Sequence, residues 1–326
     1  MSNDMVLTAS DIYDNMHDTI VSILTIENNC KFSSTGFIYK HIGCNPGLYI
    51  ITVAHAVFSK NGHRDKYVDS IYATVPNFNG TGKHVFNKCE VIGVAGYTDI
   101  AVLKFDNLEM DNHNHVMWGD DIKIGNKCYV IGNPIGAEIC SLVEGIVRNS
   151  SFISKNTVEC ISFTAPTLKG NSGSPVFNNK GLVCSIVSNG MPGGDNFNYG
   201  TKGYIIKYVV EYIISNNSNY IGGTINCSLY PVDNLYMYHY KFFNNPVRGY
   251  CIKDSKNNFL KDFDSIVSIN DEEIGTYYNQ KSPCYIYLNP GKEIKLGYLS
   301  KETKKESIIE LTIDKLSTYD DVYRQH

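Results

Sequence analysis

The chain has 326 residues, of which 43% are hydrophobic and 19% charged, with a formal net charge of −4. That length suits two or three domains, and the composition is that of a globular protein able to bury a core. A mildly acidic balance without a basic run excludes nucleic acid as the main partner, and the longest apolar stretches, such as residues 48–57, reach about half of a membrane span.

In chain order, the opening Met-Ser-Asn-Asp-Met-Val has no basic segment followed by an apolar one, so no signal peptide is expected. Residues 8–17 read as a short helix, with Ser10 as cap and Asp11 and Asp14 in the first turn. From residue 19 onward short β-rich runs alternate with Gly, Asn and Pro. They fall at 19–26, 35–39, 49–53, 70–75, 85–94, 100–105, 127–131, 143–147, 158–163, 176–177, 182–187 and 204–206. A dozen short strands with almost no helix between them predicts an all-β protein of antiparallel barrels or sandwiches. A helical pattern then spans 206–214, with apolar residues at Ile206, Val209, Val210, Ile213 and Ile214. The polar run Asn216-Asn-Ser-Asn219 marks the expected boundary, dividing the chain into domains at 1–218 and 219–326.

Ten cysteines lie singly between Cys30 and Cys284, with no Cys-x-x-Cys pair. Several sit in apolar runs, as buried thiols do. Free thiols in a reducing, intracellular compartment, the cytoplasm, are expected, and neither zinc nor another metal. The sequon Asn79-Gly-Thr81 then carries no sugar. Abundant Asn, Ile, Lys and Tyr hint at an AT-rich genome, viral or protist.

The most informative stretch is Thr167-Leu-Lys-Gly-Asn-Ser-Gly-Ser-Pro-Val-Phe177. Glycines 170 and 173 bracket Ser172 in a tight turn where main-chain N–H groups can converge on one point, as an oxyanion hole requires. Taken alone, such a stretch is also an ordinary surface turn. His55 ends the apolar strand that starts at Leu48, and Asp99 stands at the mouth of the strand 100–105. Each by itself reads as a partly buried histidine or a turn-forming aspartate. Together they supply a nucleophile, an imidazole to take its proton and a carboxylate to fix the imidazole's tautomer. The order His, Asp, Ser is that of the chymotrypsin-type arrangement.

These segments resemble the trypsin-like serine proteases of the HtrA family. Ile51-Thr-Val-Ala-His55 is similar to the family's histidine motif, Thr98-Asp-Ile-Ala-Val-Leu-Lys104 to its aspartate motif and Gly170-Asn-Ser-Gly-Ser-Pro175 to its serine motif. Ile124–Gly136 and Glu144–Val147 match stretches without a catalytic residue. Ser174 stands where most of the family has a second glycine, a feature shared with glutamyl endopeptidases, and Lys169 replaces a frequent proline. The resemblance implies two six-stranded β-barrels with the triad in the cleft between them. It makes Ser172 the nucleophile, His55 the general base and Asp99 its orienting partner. The N–H groups of Gly170 and Ser172 would hold the oxyanion, with Asn171 beside them, and no cofactor is needed. The specificity pocket is expected between Ala165-Pro166-Thr167-Leu168 and Ile186-Val187-Ser188. Neither stretch holds an acidic residue or a histidine, so cleavage after small or apolar residues is expected. Residues 191–195 form the loop that in HtrA proteins helps switch activity.

Beyond the boundary, Arg248–Ile252, Phe263–Asn270 and Pro290–Leu296 resemble strands of an HtrA-type PDZ domain, a fold that captures peptides by strand addition. Here the helix before Phe263 shortens to 255–260, Pro283 interrupts the groove-lining helix, and Gly222-Gly-Thr-Ile225 is the nearest match to a carboxylate-binding loop. The partners implied are protein or peptide substrates and a possible homo-oligomer; HtrA trimers form through N-terminal aromatics, of which this chain offers Tyr13. The competing reading is a non-enzymatic scaffold, chaperone or virion component that keeps a protease fold. Packaging in a virus particle would follow if the source is viral.

Overall fold

The computed structural model describes residues 6–59, 66–74, 85–106, 113–119, 122–134, 140–153, 158–190, 197–231, 249–274 and 283–316. The loop at 191–195, the sequon at 79–81, Gly136 and Arg248 lie outside the described residues. The chain divides into two compact units, the first made mostly of residues up to Tyr220 and the second mostly of residues from Ile221 onward.

The first unit opens on α1 (Ala9–Met16), which buries Ile12. Its cap is Thr8, not Ser10: the Thr8 hydroxyl accepts from the Asp11 N–H, and the Asp11 carboxylate accepts from the Thr8 N–H. This reciprocal capping box starts the helix two residues before the serine, which ends up inside the first turn.

Strands β1 (Ile20–Glu27), β2 (Cys30–His41), β3 (Gly47–Thr52), β4 (Ser70–Thr74), β5 (Asn87–Ala95) and β6 (Ile100–Phe105) close into a barrel in the order β1-β2-β3-β6-β5-β4. Every neighbouring pair is antiparallel. The β1–β2 connection is a two-residue hairpin in which Asn28 and Asn29 both take positive φ, 49° and 63°. Asparagine tolerates that conformation, and its twist matches that of the strands. Val21, Ile23, Ile38, Ile50, Ala101 and Leu103 fill the barrel.

The second sheet comprises β7 (Lys127–Gly132), β8 (Ser141–Ile153), β9 (Glu159–Phe163), β10 (Pro175–Phe177), β11 (Val183–Ile186), β12 (Asn189–Gly190) and β13 (Asn198–Thr201). Its order is β11-β10-β7-β8-β9-β13-β12, and a bridge between Ser185 and Lys202 ties β11 back toward β13. The result is a second barrel-like sheet of six main strands around Cys128, Val130, Val147, Ile161, Phe163 and Val176. The all-β, two-barrel expectation therefore holds.

One local expectation fails. Residues 204–206 are not a strand but the first turn of α3 (Gly203–Asn216), which buries Ile205, Ile206, Val209, Val210, Ile213 and Ile214. Three strand-formers in a row mimic a strand, but the apolar repeat continues at helical spacing and decides the outcome. At the expected boundary, the polar run 216–219 is held by the first unit. Asn217 ends α3 in the left-handed conformation, the Asn219 side chain accepts from the Val94 N–H at 2.9 Å, and the Tyr220 N–H donates to the Val94 carbonyl at 2.9 Å. The polar residues serve as a helix cap pinned onto β5.

The second unit holds β14 (Gly223–Thr224), β15 (Ser228–Pro231), β16 (Tyr250–Lys253), β17 (Ser265–Ile269), β18 (Glu272–Glu273), α4 (Cys284–Leu288), β19 (Glu293–Leu299), β20 (Glu306–Thr312) and β21 (Asp314–Lys315). The main sheet runs β15-β16-β17-β19-β20, and β14 pairs with β21. Leu229, Ile252, Ile266, Ile286, Leu296 and Ile313 form its core. The short helix expected at 255–260 is absent. Instead, Asn257 Oδ1 accepts from the Phe259 and Leu260 N–H groups, and the Ser255 hydroxyl donates to the Leu260 carbonyl. These side chains offer the backbone an alternative to helix. Pro283 stands immediately before the five residues of α4.

All ten cysteines are unbridged. Burial pushes the thiols of Cys89, Cys128, Cys140 and Cys251 up to about 12, which keeps them protonated and inert as nucleophiles. Among the described residues no helix is long and apolar enough to cross a membrane.

Candidate active site

His55 lies on α2 (Ala54–Val57), a single turn that follows β3 directly rather than a continuation of the strand. Asp99 follows the 3-10 turn Gly96–Thr98 and itself takes a left-handed conformation, φ 56° and ψ 44°. Aspartate is among the few residues that adopt it readily. The geometry turns the Asp99 backbone and side chain toward α2 together. Its carbonyl accepts from the Ala54 N–H at 3.1 Å, Oδ1 from the His55 N–H at 2.9 Å and Oδ2 from His55 Nδ1 at 2.7 Å.

A carboxylate only accepts, so the imidazole carries its proton on Nδ1 and presents Nε2 as the basic nitrogen. Asp99 is 7% exposed, and the Ser188 hydroxyl also donates to Oδ2. Three donors compensate a charge that would otherwise be costly to bury.

The Ser172 loop is held from two sides. The Thr35 N–H donates to the Ser172 carbonyl at 2.9 Å, and the Thr35 hydroxyl donates to the Gly170 carbonyl at 2.8 Å while accepting from the Asn133 N–H at 3.0 Å. Thr52 Oγ1 in turn donates to the Thr35 carbonyl at 2.7 Å. On the other side the Gly173 N–H reaches the Val187 carbonyl, and the Val187 N–H reaches that of Ser174, both at 2.8 Å. Gly173 has φ 89°, and a Cβ there would sit 2.0 Å from the Thr35 carbonyl oxygen and 2.4 Å from Thr52 Oγ1. Only glycine fits, so the loop docks against the end of β3, three residues before His55.

Within the turn the Asn171 N–H donates to the Leu168 carbonyl at 3.0 Å, so it is not free to bind an oxyanion. The N–H groups of Gly170 and Ser172 have no acceptor among the described residues. Gly170, at φ 101°, gives the turn this form.

The residues expected to wall the pocket divide. Ala165, Ile186 and Val187 are buried, and the first and last belong to the second barrel's core. Pro166 and Leu168 are exposed, and Thr167 is half-buried. The Thr167 hydroxyl donates to Asn198 Oδ1 at 2.7 Å, and Asn198 Nδ2 donates to the Ala165 carbonyl at 2.8 Å. Ser188 serves Asp99 instead of acting as a simple wall.

Sequence reasoning missed Asn198, Thr35, Thr52 and Asn133, and missed this role of Ser188. Thr52 and Asn133 stand at the ends of apolar strands, while Thr35 follows Ser33 and Ser34 and Asn198 opens a four-residue strand, so nothing local marks them out as parts of one site. Ser188→Ala is expected to lower kcat about ten- to a hundredfold with KM within twofold, since a hydrogen bond to a charged group is worth about 1.5–3 kcal/mol. Ser188→Thr, which keeps the hydroxyl, should restore most of it. Equal kcat in all three proteins would show that the bond is idle.

A family model described as a trypsin-like peptidase domain matches residues 34–186. The chain is 29% identical over 215 residues to "Protease Do-like 5, chloroplastic" of Arabidopsis thaliana, covering 58% of this chain and 62% of that protein. It is 27% identical over 233 residues to a probable periplasmic serine endoprotease, DegP-like, of Bartonella henselae, covering 67% of this chain and 44% of that one. The chain thus spans less than two thirds of the length of these relatives. Among solved structures, the HtrA-type protease AlgW with tripeptide superposes with a TM-score of 0.69 at 17% identity, over 95% of this chain and 98% of that one.

Proposed function

From the premise that this chain carries a trypsin-like peptidase domain and is a relative of the Do-like, HtrA-type serine proteases, we propose that it is a serine endopeptidase cleaving protein and peptide substrates. Its role would be HtrA-like processing or quality control. The observation that carries this reading is the clamp of Asp99 on His55, two hydrogen bonds that one buried carboxylate accepts from the backbone N–H and the ring of one histidine.

In this reading Ser172 Oγ attacks the scissile carbonyl while His55 Nε2 takes the hydroxyl proton. Asp99 steadies the imidazolium that forms. The carbonyl oxygen becomes an oxyanion held by the N–H groups of Gly170 and Ser172. His55 then gives its proton to the leaving amine, leaving an acyl-Ser172 ester. Water, deprotonated by His55, releases the acid and restores the hydroxyl. Losing one oxyanion donor costs on the order of 10²–10³ in rate.

Among the described residues, the Thr167 hydroxyl and the Asn198 amide at the expected pocket are neutral and already joined to each other. They offer no charge to a substrate Lys, Arg or Glu. Digestion of a denatured protein, with cut sites mapped by mass spectrometry, should show cleavage after small or aliphatic residues. Dominant cutting after Lys, Arg or Glu would overturn the pocket assignment, and no cutting at all would overturn the enzyme.

The second unit we read as a PDZ-like appendage, a reading supported by the extent of the likeness to AlgW. In it α4 is only five residues long, and β14 is already paired with the chain's own β21. The relatives are named for the chloroplast and the periplasm, not the cytoplasm expected above; ten unbridged cysteines support a reducing compartment for this chain.

A further inference from the structure

The Ser172 turn offers an oxyanion two N–H groups, and these belong to different peptide groups. The Gly170 N–H lies on the peptide joining residues 169 and 170, the Ser172 N–H on that joining 171 and 172. One peptide, 170–171, stands between them. Each peptide is a rigid plane, so the angle between the two donors depends on how this middle plane is held. Gly170 takes φ 101° and has no Cβ to restrict it. The plane must be fixed by its contacts.

It is held at both polar ends. Its N–H, that of Asn171, donates to the Leu168 carbonyl at 3.0 Å, a contact inside the turn itself. Its carbonyl, that of Gly170, accepts from the Thr35 hydroxyl of β2 at 2.8 Å. That hydroxyl has a single proton, and its oxygen already accepts from the Asn133 N–H at 3.0 Å, which leaves the proton for Gly170. Thr35 is fully buried. The following peptide, 172–173, is also gripped at both ends: the Thr35 N–H donates to its carbonyl at 2.9 Å, and its N–H donates to the Val187 carbonyl at 2.8 Å. Of these four holds only the bond from the Thr35 hydroxyl comes from a side chain. It is the one that a substitution can remove alone.

We propose that Thr35 is a positioning residue for the oxyanion: its hydroxyl fixes the plane between the two donors and so sets the angle at which they converge. The consequence in rate rests on the endopeptidase reading, whereas the hold on the turn does not. Without the hydroxyl both donors remain in the chain but are aimed less well. The loss falls on the charged oxygen of the transition state more than on the neutral carbonyl of bound substrate. A misplacement of about 1 Å is enough to cost on the order of 10²-fold in rate.

The test compares Thr35→Val and Thr35→Ser in the full-length protein. Thr35→Val should lower kcat about ten- to a hundredfold with KM within twofold, and Thr35→Ser should stay within threefold of the unsubstituted chain. A peptide aldehyde reads the oxyanion directly: Ser172 Oγ adds to its carbonyl carbon, the hydroxyl proton passes to His55 Nε2, and the carbonyl oxygen takes the negative charge. Its affinity should fall in Thr35→Val by the same factor as kcat, a match that mere loss of stability would not produce. A kcat within twofold in Thr35→Val, a Thr35→Ser protein as slow as Thr35→Val, or an aldehyde bound as tightly as before would overturn the proposal. Thr35→Ala removes the hydroxyl with less bulk and carries the same expectations if Thr35→Val does not fold. If the unsubstituted chain cleaves no peptide, the endopeptidase reading fails, and amide hydrogen exchange still decides about Thr35. The Asn171 N–H, on the middle plane, should then exchange at least tenfold faster in Thr35→Ala than in Thr35→Ser, and equal rates would overturn the hold. So would a crystal structure of the unsubstituted chain with Thr35 Oγ1 out of hydrogen-bond reach of the Gly170 carbonyl.

Discussion

Ser172→Ala is expected to reduce peptide hydrolysis by on the order of 10⁶, the scale set by removing the nucleophile of a serine hydrolase triad. The fold should be indifferent to the change. The turn is held by the Ser172 carbonyl, by Gly173 and by Ser174, none of which needs the Ser172 hydroxyl. Thermal unfolding followed by circular dichroism should therefore overlay that of the unsubstituted chain. Turnover surviving in this variant would place the nucleophile elsewhere. A collapsed melting transition would mean that the hydroxyl supports the turn.

Asp99→Asn should lower kcat by roughly 10⁴ through the wrong imidazole tautomer. The site makes this substitution unusually clean. Asparagine accepts the left-handed backbone that Asp99 takes, so the turn survives. What changes is the face shown to His55 and Ser188. One carboxylate oxygen becomes an amide that donates, and an amide facing Nδ1 forces the ring proton onto Nε2, where no base remains for Ser172. If the amide turns the other way, the His55 N–H loses its acceptor. Steady-state kinetics on one peptide decides the matter, and a loss below tenfold would show that the Asp99–His55 contact is structural only.

The parts of this protein that were legible in the sequence share a cause. The barrels could be read because short alternating strands repeat many times, and His55, Asp99 and Ser172 because each stands at a strand end or tight turn in a recognisable local motif. The supports around them were not legible, since they act across the chain. The Thr35 hydroxyl reaches Gly170 over 135 positions, and Ser188 reaches Asp99 over 89. Nothing local distinguishes such a residue from any other polar residue in a strand.

Local competition explains the smaller misses. Thr8 outbids Ser10 as a cap because only Thr8 has an aspartate three residues on to complete the box. Asn216-Asn-Ser-Asn219 reads as a polar break by composition, and its asparagines also end α3 and reach β5, a role that composition does not show. Asn171 seemed available to an oxyanion until its N–H closed the turn on Leu168.

The central claim, that Ser172 is a nucleophile activated by His55, is tested most directly by covalent labelling. The full-length chain is treated with a fluorophosphonate, and the modified residue is located by peptide mass spectrometry. The account predicts one phosphonylated residue, Ser172, with labelling all but lost in His55→Ala although Ser172 is still present. Modification at another serine, no modification, or a His55→Ala variant that labels as fast as the unsubstituted protein would contradict it.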